Sequence, residues 1–324
     1  MIRGAHVLGL LAAVQYPAAL AADAAASFPT RPMRIISGSP GSTADLSARL
    51  VGQKFADRLG YQAVVDNRAG AGGIIGNETC ARASPDGYTL CIGHVGTHAS
   101  APSTFKNLQY DPIRDFAPIS NIVTVSIVLV VNPSVPASNL KDFVAYAQSK
   151  KGAVLFGSPG GATSGHLTGE LFNMVTKAGM THVPYKGAGF AVTGVVSGET
   201  QASFLATSTA ATQVRAGKLR PLAVIRKTRY AAMPEVPSTA EFGYPELESN
   251  AWFGLFAPAK TPRSIVDKLN AEVVRALQQP DVKEILTRQF AEGTPTTPEE
   301  FGALVKSELV KWTKVVTDAG LQRQ

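Results

Sequence analysis

Two short stretches carry residue types that could do chemistry. One reads Ser39-Pro40-Gly41-Ser42-Thr43-Ala44-Asp45, the other Ser158-Pro159-Gly160-Gly161-Ala162-Thr163-Ser164-Gly165-His166. Each follows a short apolar run (Met33-Arg34-Ile35-Ile36 and Ala153-Val154-Leu155-Phe156) and each precedes a helical pattern. A strand that passes through such a loop into a helix leaves backbone N–H groups pointing outward at the positive end of the helix dipole. The chemistry this suits is capture of an anion. Asp45 lies three residues after Ser42, where an acid favours the dipole, pairs back to the Ser42 backbone as in a capping box, and can shape the loop so that its N–H groups face a ligand. A third loop after a strand end, Gly93-His94-Val95-Gly96-Thr97-His98, adds imidazoles.

Motifs for bond-making chemistry are missing. No G-x-S-x-G nucleophile elbow occurs, and Gly161-Ala162-Thr163-Ser164-Gly165 has the wrong spacing for one. No G-x-x-x-x-G-K-[ST] is present for nucleotide phosphates, and Gly70-Ala71-Gly72-Gly73-Ile74-Ile75 fails the dinucleotide pattern at its last glycine. His94 and His98 are four apart, but a loop gives that spacing no fixed geometry, and zinc would need partners the sequence does not show. Neither a metal nor a cofactor is expected. His166, at a helix start, reads as a capping or cleft-lining imidazole rather than a catalytic one.

The elements that must position these loops alternate. The pattern predicts strand 33–37, helix 43–59 stopped by Gly60, strand 61–66, helix 74–83 and strand 88–93, a βαβαβ order that implies a parallel sheet with right-handed crossovers. Strand 118–131 is long enough to cross between lobes. Helix 138–151, with Ser138 as its N-cap, strand 153–157 and helix 164–178 repeat the strand–loop–helix unit. Further βα units cover 181–225 with helices 188–197 and 207–216 and strand 200–205; residues 249–258 carry the chain back, with Trp252 and Phe253 read as core or hinge aromatics; helices 262–278, 280–291 and 298–318 close it. Two lobes joined by two crossings, each with a small-residue loop before a helix, form a clam with a ligand crevice at the carboxyl ends of the strands. The expected division is 28–124 plus 252–324 for lobe 1 and 125–251 for lobe 2.

The N-terminus bears on location. Arg3 precedes an apolar run, residues 5–14, too short to span a bilayer, and then the A-x-A site Ala19-Leu20-Ala21. Residues 1–24 read as a secretory signal peptide cleaved near Ala21/Ala22, which places the mature chain in the periplasm. Hydrophobic residues make up 45% and charged ones 17%, which indicates a folded chain rather than a disordered one. The net charge of +7 is dispersed and no aromatic-basic module accompanies it, so it implies mild attraction for anionic ligands and not nucleic-acid binding. Cys80 and Cys91 are read as small core residues facing each other across a helix–sheet interface; an oxidising compartment also permits a disulfide, and spacing does not fix the geometry.

Several segments resemble, in order along the whole mature chain, the substrate-binding proteins of tripartite tricarboxylate transporters, the Bug family: the opening 28–60, VVDNRAGAGGIIGNETCARASPDGYTL, FGSPGGATSGHLTGELF, THVPYKGAG, and MPEVPSTAEFGYPELESNAWFGLFAPAKTP. The resemblance implies an α/β, two-lobed periplasmic-binding-protein fold of type II, a Venus flytrap with a mostly parallel, helix-flanked sheet in each lobe. It implies a monomeric receptor, not an enzyme, that captures a small carboxylate and delivers it to the two integral subunits of a membrane permease. Carried over by position, the binding residues are Ser39, Pro40, Gly41, Ser42, Thr43 and Asp45; Gly96, Thr97 and His98; Ser158, Gly160, Gly161, Ala162, Thr163 and His166; and Tyr185, Lys186 and Gly187. The chain departs from the family where Gly38 and Ser42 replace an aromatic and a glycine, where Phe190 and Gly194 replace a proline and an aspartate, and where Gln201 and Leu205 stand near usual acids. Loss of those acids predicts a carboxylate ligand without an ammonium group, an aromatic or short-chain acid. The alternatives are a secreted α/β hydrolase acting on an ester or amide of a small acid, and a receptor serving a sensor instead of a permease.

Overall fold

The computed structural model describes residues 27–321. The expected signal peptide, residues 1–24, and its cleavage point lie outside them. Strand β1 (Met33–Ser37) sits between β2 (Ala63–Asn67) and β3 (Thr89–His94), both parallel to it. Helix α1 (Thr43–Leu59) connects the first two, with Ala44, Ala48, Val51 and Phe55 buried on the stripe that faces the sheet. Its ends follow the sequence: the Ser42 side chain accepts from the Asp45 N–H, and Gly60 stops the helix at φ 76°. Helix α2 (Ile74–Ala81) leads back to β3. After β3 the chain makes a wide helical turn at Val95–Ser100 and a short helix α3 (Ala101–Thr104).

Strand β4 (Phe116–Val131) then runs through both halves of the molecule. Its first part pairs antiparallel with β9 (Asn250–Pro258), from Phe116↔Pro258 to Ser126↔Asn250. Its second part, from Ile127 on, pairs antiparallel with β7 (Ala202–Ala206) and β8 (Arg220–Val224). The ladder partners change between Ser126 and Ile127, and there one sheet gives way to the next. In the second sheet β5 (Leu155–Ser158) lies between β6 (Thr181–Pro184) and β7, parallel to both. The first sheet is therefore three parallel strands completed by the crossing strands β9 and β4, and the second is three parallel strands completed by β4, with β8 paired to β4; this mixture, not a parallel run, occupies the middle of the molecule. The chain enters each crossing from the far lobe, so the crossing strands run against their neighbours.

Helices cover the sheets. In the second lobe α4 (Leu140–Ser149), α5 (Ser164–Thr176), α6 (Ala188–Ser197) and α7 (Thr207–Arg215) pack on β4 to β8. The cap of α4 is Asn139, whose Oδ1 accepts from the Asp142 N–H at 3.0 Å; Ser138 instead donates to the Asp142 carboxylate, which corrects the expected cap. Gly165 and Gly169 let α5 lie flush on the strands: a Cβ at 165 would stand 2.4 Å from the Phe204 carbonyl oxygen, and one at 169 would stand 2.2 Å from the Phe156 ring. Gly165, which ends the near-miss of the hydrolase motif, thus serves packing. Helices α8 (Arg263–Gln278), α9 (Pro280–Arg288) and α10 (Pro298–Asp318) close the first lobe, with the two-residue strand β10 (Glu292–Gly293) on β4. Trp252 is buried edge-on to Phe301.

Cys80 on α2 and Cys91 on β3 form a disulfide with their Cα atoms 6.1 Å apart. The reading as two unlinked core thiols is corrected: α2 packs on the sheet with Cys80 over Cys91, and both side chains are fully buried.

Candidate functional site

The loops that open α1 and α5 have one backbone design. The residue before each N-cap adopts a left-handed conformation, Gly41 at φ +74° and Ala162 at φ +63°. The side chain of the third helical residue reaches back and accepts that residue's N–H: Asp45 Oδ2 from Gly41 N at 3.0 Å, His166 Nδ1 from Ala162 N at 3.1 Å. This is a capping box extended by one residue. It fixes the loop while leaving the first-turn donors, Thr43 and Ala44 in α1 and Ser164 and Gly165 in α5, where a helix has no partner of its own for them.

Asp45 is nearly buried and held on all sides. Asn67 donates to Oδ1 at 2.8 Å and Arg49 Nε to Oδ2 at 3.0 Å, and Asn67 also donates to the Gly38 carbonyl. Burial pushes its pKa up, but the hydrogen bonds from Arg49, Asn67 and Gly41 outweigh this and hold it below the usual value. Asp45 therefore shapes the loop and is not free to meet a ligand.

In the second lobe Ser158 Oγ accepts from Gly160 N at 3.2 Å and lies 2.9 Å from Gly160 O, while Thr163 Oγ1 donates to the same carbonyl at 2.8 Å. Gly160, at φ +147°, is a position only glycine takes without strain.

Each loop touches the other lobe. Thr43 Oγ1 lies 2.9 Å from Ser208 Oγ, and Ser100 Oγ donates to Ala162 O at 2.8 Å. A Cβ on Gly187 would be 3.9 Å from Ser39 Oγ, and one on Gly72 would be 3.9 Å from Gly161 O. The structure thus sets Ser39 and Thr43 against Gly187 and Ser208, and Gly161 and Ala162 against Gly72 and Ser100, with Pro40, Gly41, Ser42, Gly160 and Thr163 in the same two loops. It adds Ser208, on the first turn of α7, and Ser100, neither singled out from sequence. Ser208 had a signal: Thr207-Ser208-Thr209 is again a strand followed by small hydroxyl residues and a helix.

Other expected residues turn elsewhere. The His98 ring is fully buried, stacked on Phe256 with centroids 4.0 Å apart and tilted edge-on to Phe116. The Thr97 hydroxyl bonds the backbone of His94, and the Gly96 N–H donates to His94 Nδ1 at 3.0 Å. Thr97 and His98 form the inner support of the wall, His98 with its Nε2 buried and without a hydrogen-bond partner, whereas Gly96 lies against the second-lobe loop: a Cβ there would stand 3.6 Å from Ala162 O. Tyr185 folds its ring into lobe 2 against Gly157 and Gly194: a Cβ at 194 would stand 2.1 Å from its Oη. Its hydroxyl is buried there rather than in the crevice. Lys186 is exposed. Gln201 accepts from Leu155 N at 2.9 Å and Leu205 is core, so neither position faces a ligand, and their lack of acids does not bear on an ammonium group. His94, which accepts Gly96 and lies against Gly72, is held neutral by burial, its pKa lowered to about 4.

Among the described residues no three His, Cys, Asp or Glu side chains converge to hold a metal ion, and no helix is long and apolar enough to cross a membrane. A groove of about 570 Å³ beside Pro112, Phe116, Pro118 and Gly302 shares no residue with these loops.

Known proteins share this architecture. BugT of Bordetella pertussis (strain Tohama I) is 34% identical over 327 residues, covering 99% of this chain and 98% of BugT. The structure of R. palustris Rpa4515 with adipate matches with a TM-score of 0.88 at 32% identity, over 92% of this chain and 100% of that one. MatC (Rpa3494) from Rhodopseudomonas palustris with bound malate matches with a TM-score of 0.84 at 33% identity, over 89% and 100%. The family described as "Tripartite tricarboxylate transporter family receptor" matches residues 47–321. Two helix-opening loops of one design on a two-lobed frame, and these relatives along nearly the whole chain, lead to one conclusion: the chain belongs to the tripartite tricarboxylate transporter receptor family, the Bug proteins, extracytoplasmic receptors that bind carboxylate solutes.

Proposed function

We propose that this protein captures a small organic acid, without chemically altering it, between the loops at 39–43 and 158–163 and presents it to a two-subunit membrane permease. The observation that carries the reading is the duplicated loop: two helix N-termini, one in each lobe, each have a left-handed residue pinned by their own third helical side chain, and each loop touches the opposite lobe. Each N–H donated to a carboxylate oxygen contributes roughly 1.5–3 kcal/mol when the group is charged. No charged side chain is free among the loop residues, since Asp45 is neutralised by Arg49 and Asn67. Backbone N–H and hydroxyl donors then favour a carboxylate, and no carboxylate of these loops is left to pair with an ammonium. Adipate and malate, carried by two related structures, make dicarboxylates the first acids to test. In this reading lobe 1 is 28–124 plus 252–324, lobe 2 is 125–251, the receptor acts as a monomer, and it reaches the periplasm after cleavage near Ala21/Ala22.

The test is thermal-shift melting against mono-, di- and tricarboxylates, aromatic acids and amino acids. A ligand that binds only the folded chain raises the melting temperature by mass action. One acid class is expected to raise it and to be recovered unchanged. A panel in which amino acids bind tightest overturns the reading; consumption of an ester or amide favours a hydrolase.

A further inference from the structure

We propose that His182 is a positioning residue for the lobe 2 anion loop: its imidazole fixes both ends of the loop at once, Gly160 through Ser158 and Ala162 through the stacked ring of His166. The inference rests on the reading of residues 158–163 as an anion loop.

His182 lies on β6 opposite Phe156 of β5, two residues before Ser158. Its Nε2 is 2.7 Å from Ser158 Oγ. That hydroxyl has one proton and sits within reach of two acceptors, His182 Nε2 and the Gly160 carbonyl, while accepting from the Gly160 N–H. All these bonds are made together only when His182 carries its proton on Nε2 and donates: Ser158 then receives from His182 and from Gly160 N and gives its own proton to Gly160 O. Burial, and then the neighbouring His166, lower the pKa of His182 to about 3, which keeps the ring a neutral donor in ordinary buffers.

The face of the same ring does the second task. His182 and His166 stack with centroids 3.8 Å apart and planes 14° from parallel. His182 also meets Phe156, with ring centroids 5.0 Å apart and planes tilted by 33°. The stack sets the plane of His166, whose Nδ1 must point at Ala162 N to accept it at 3.1 Å; its Nε2 is 3.6 Å from Glu170. Ala162 is the residue whose carbonyl takes the Ser100 hydroxyl from lobe 1. One ring outside the crevice thereby governs the loop's donors and a contact between the lobes.

The test uses the full chain as His182→Leu, Ser158→Ala, the double variant and His182→Gln. Amide hydrogen exchange at Gly160 and Ala162 is measured without ligand, and calorimetric titration with malate and adipate is run on the same samples. In His182→Leu both amides are expected to exchange about tenfold faster and any acid bound by the wild type to bind about tenfold more weakly, the equivalent of one lost hydrogen bond. Ser158→Ala releases Gly160 and leaves Ala162 protected. The double variant is no worse at Gly160 than either single one, because the two groups act through the same bond. His182→Gln, whose amide can donate to the same hydroxyl, restores Gly160 protection. Wild-type exchange at both amides in a folded His182→Leu, or additive effects in the double variant, overturns the proposal. If His182→Leu does not fold, Ser158→Ala decides, and unchanged exchange at Gly160 overturns it. If the exchange pattern appears but no carboxylate binds the wild type, the proposed function fails and the positioning role stands.

Discussion

In lobe 1 the side chain that takes the N–H of the left-handed loop residue is a carboxylate, Asp45; in lobe 2 it is an imidazole, His166. A carboxylate beside an anion site repels the ligand, so lobe 1 surrounds it with Arg49 and Asn67, and the cluster presents little net charge. The His166 ring accepts from Ala162 N through Nδ1 and brings no negative charge to the loop; its Nε2 is 3.6 Å from Glu170. The ring does need a fixed plane, which lobe 2 supplies by stacking on His182. The same loop geometry is thus held by electrostatics on one side of the crevice and by packing on the other. Lobe 1 is further stapled by its disulfide, and no cysteine remains for lobe 2.

The largest expected effect separates the lobes by that staple. Closing a loop of 11 residues is worth about 3 kcal/mol in the chain-entropy model, so reduction is expected to lower the melting temperature, with amides of α2 and β3 losing exchange protection first. Equal melting curves with and without reductant contradict this. Next comes Asp45→Ala, which leaves Gly41 N and Asn67 without their acceptor; a loss of about 2 kcal/mol in stability is expected by chemical denaturation, together with weaker carboxylate binding. Full retention of both shows that Arg49 and Asn67 hold the loop without the acid.

Acid then tests both lobes through their neutral histidines. His94 and His182 have pKa values lowered to about 4 and about 3, below the ordinary 6.5 of the unfolded chain. The unfolded state takes up protons first, so stability is expected to fall as pH drops from about 6.5 toward 4, and His182→Gln is expected to flatten part of that fall. A melting temperature constant over this range excludes both rings as neutral groups. The smallest effect belongs to the contact between the lobes: Thr43→Val and Ser208→Ala each remove a partner of one hydrogen bond, and about three- to tenfold weaker binding is expected with unchanged melting of the ligand-free chain. A drop in melting temperature instead marks Thr43 as a stabilising residue of α1.

Local signals made part of this legible. Ser42 and Gly60 mark both ends of α1, and the strand–loop–helix order marks the loops before α1 and α5, which share one backbone design. What stayed hidden depends on partners far along the chain. Ser208 meets Thr43 across 165 residues, and His182 meets Ser158 only because β6 adds beside β5 in one register. Tyr185 was expected in the crevice; the space that draws its ring inward is left by Gly157 and Gly194, and nothing near Tyr185 announces it. The antiparallel sense of β4 and β9 follows from the chain entering from the far lobe, a global property that alternating β and α patterns do not encode. The disulfide was missed for the same reason: spacing does not tell how a helix sits on its sheet.

That bridge has a consequence for how the chain matures. With two cysteines in the sequence only one intramolecular pairing exists, so oxidative folding offers no scrambled isomer to correct. An oxidant is sufficient and a disulfide-shuffling catalyst is superfluous; refolding from the reduced chain is expected to reach the same yield with an isomerase as without one. Errors can arise only between molecules, which makes dilution, not proofreading, the safeguard of a correct product.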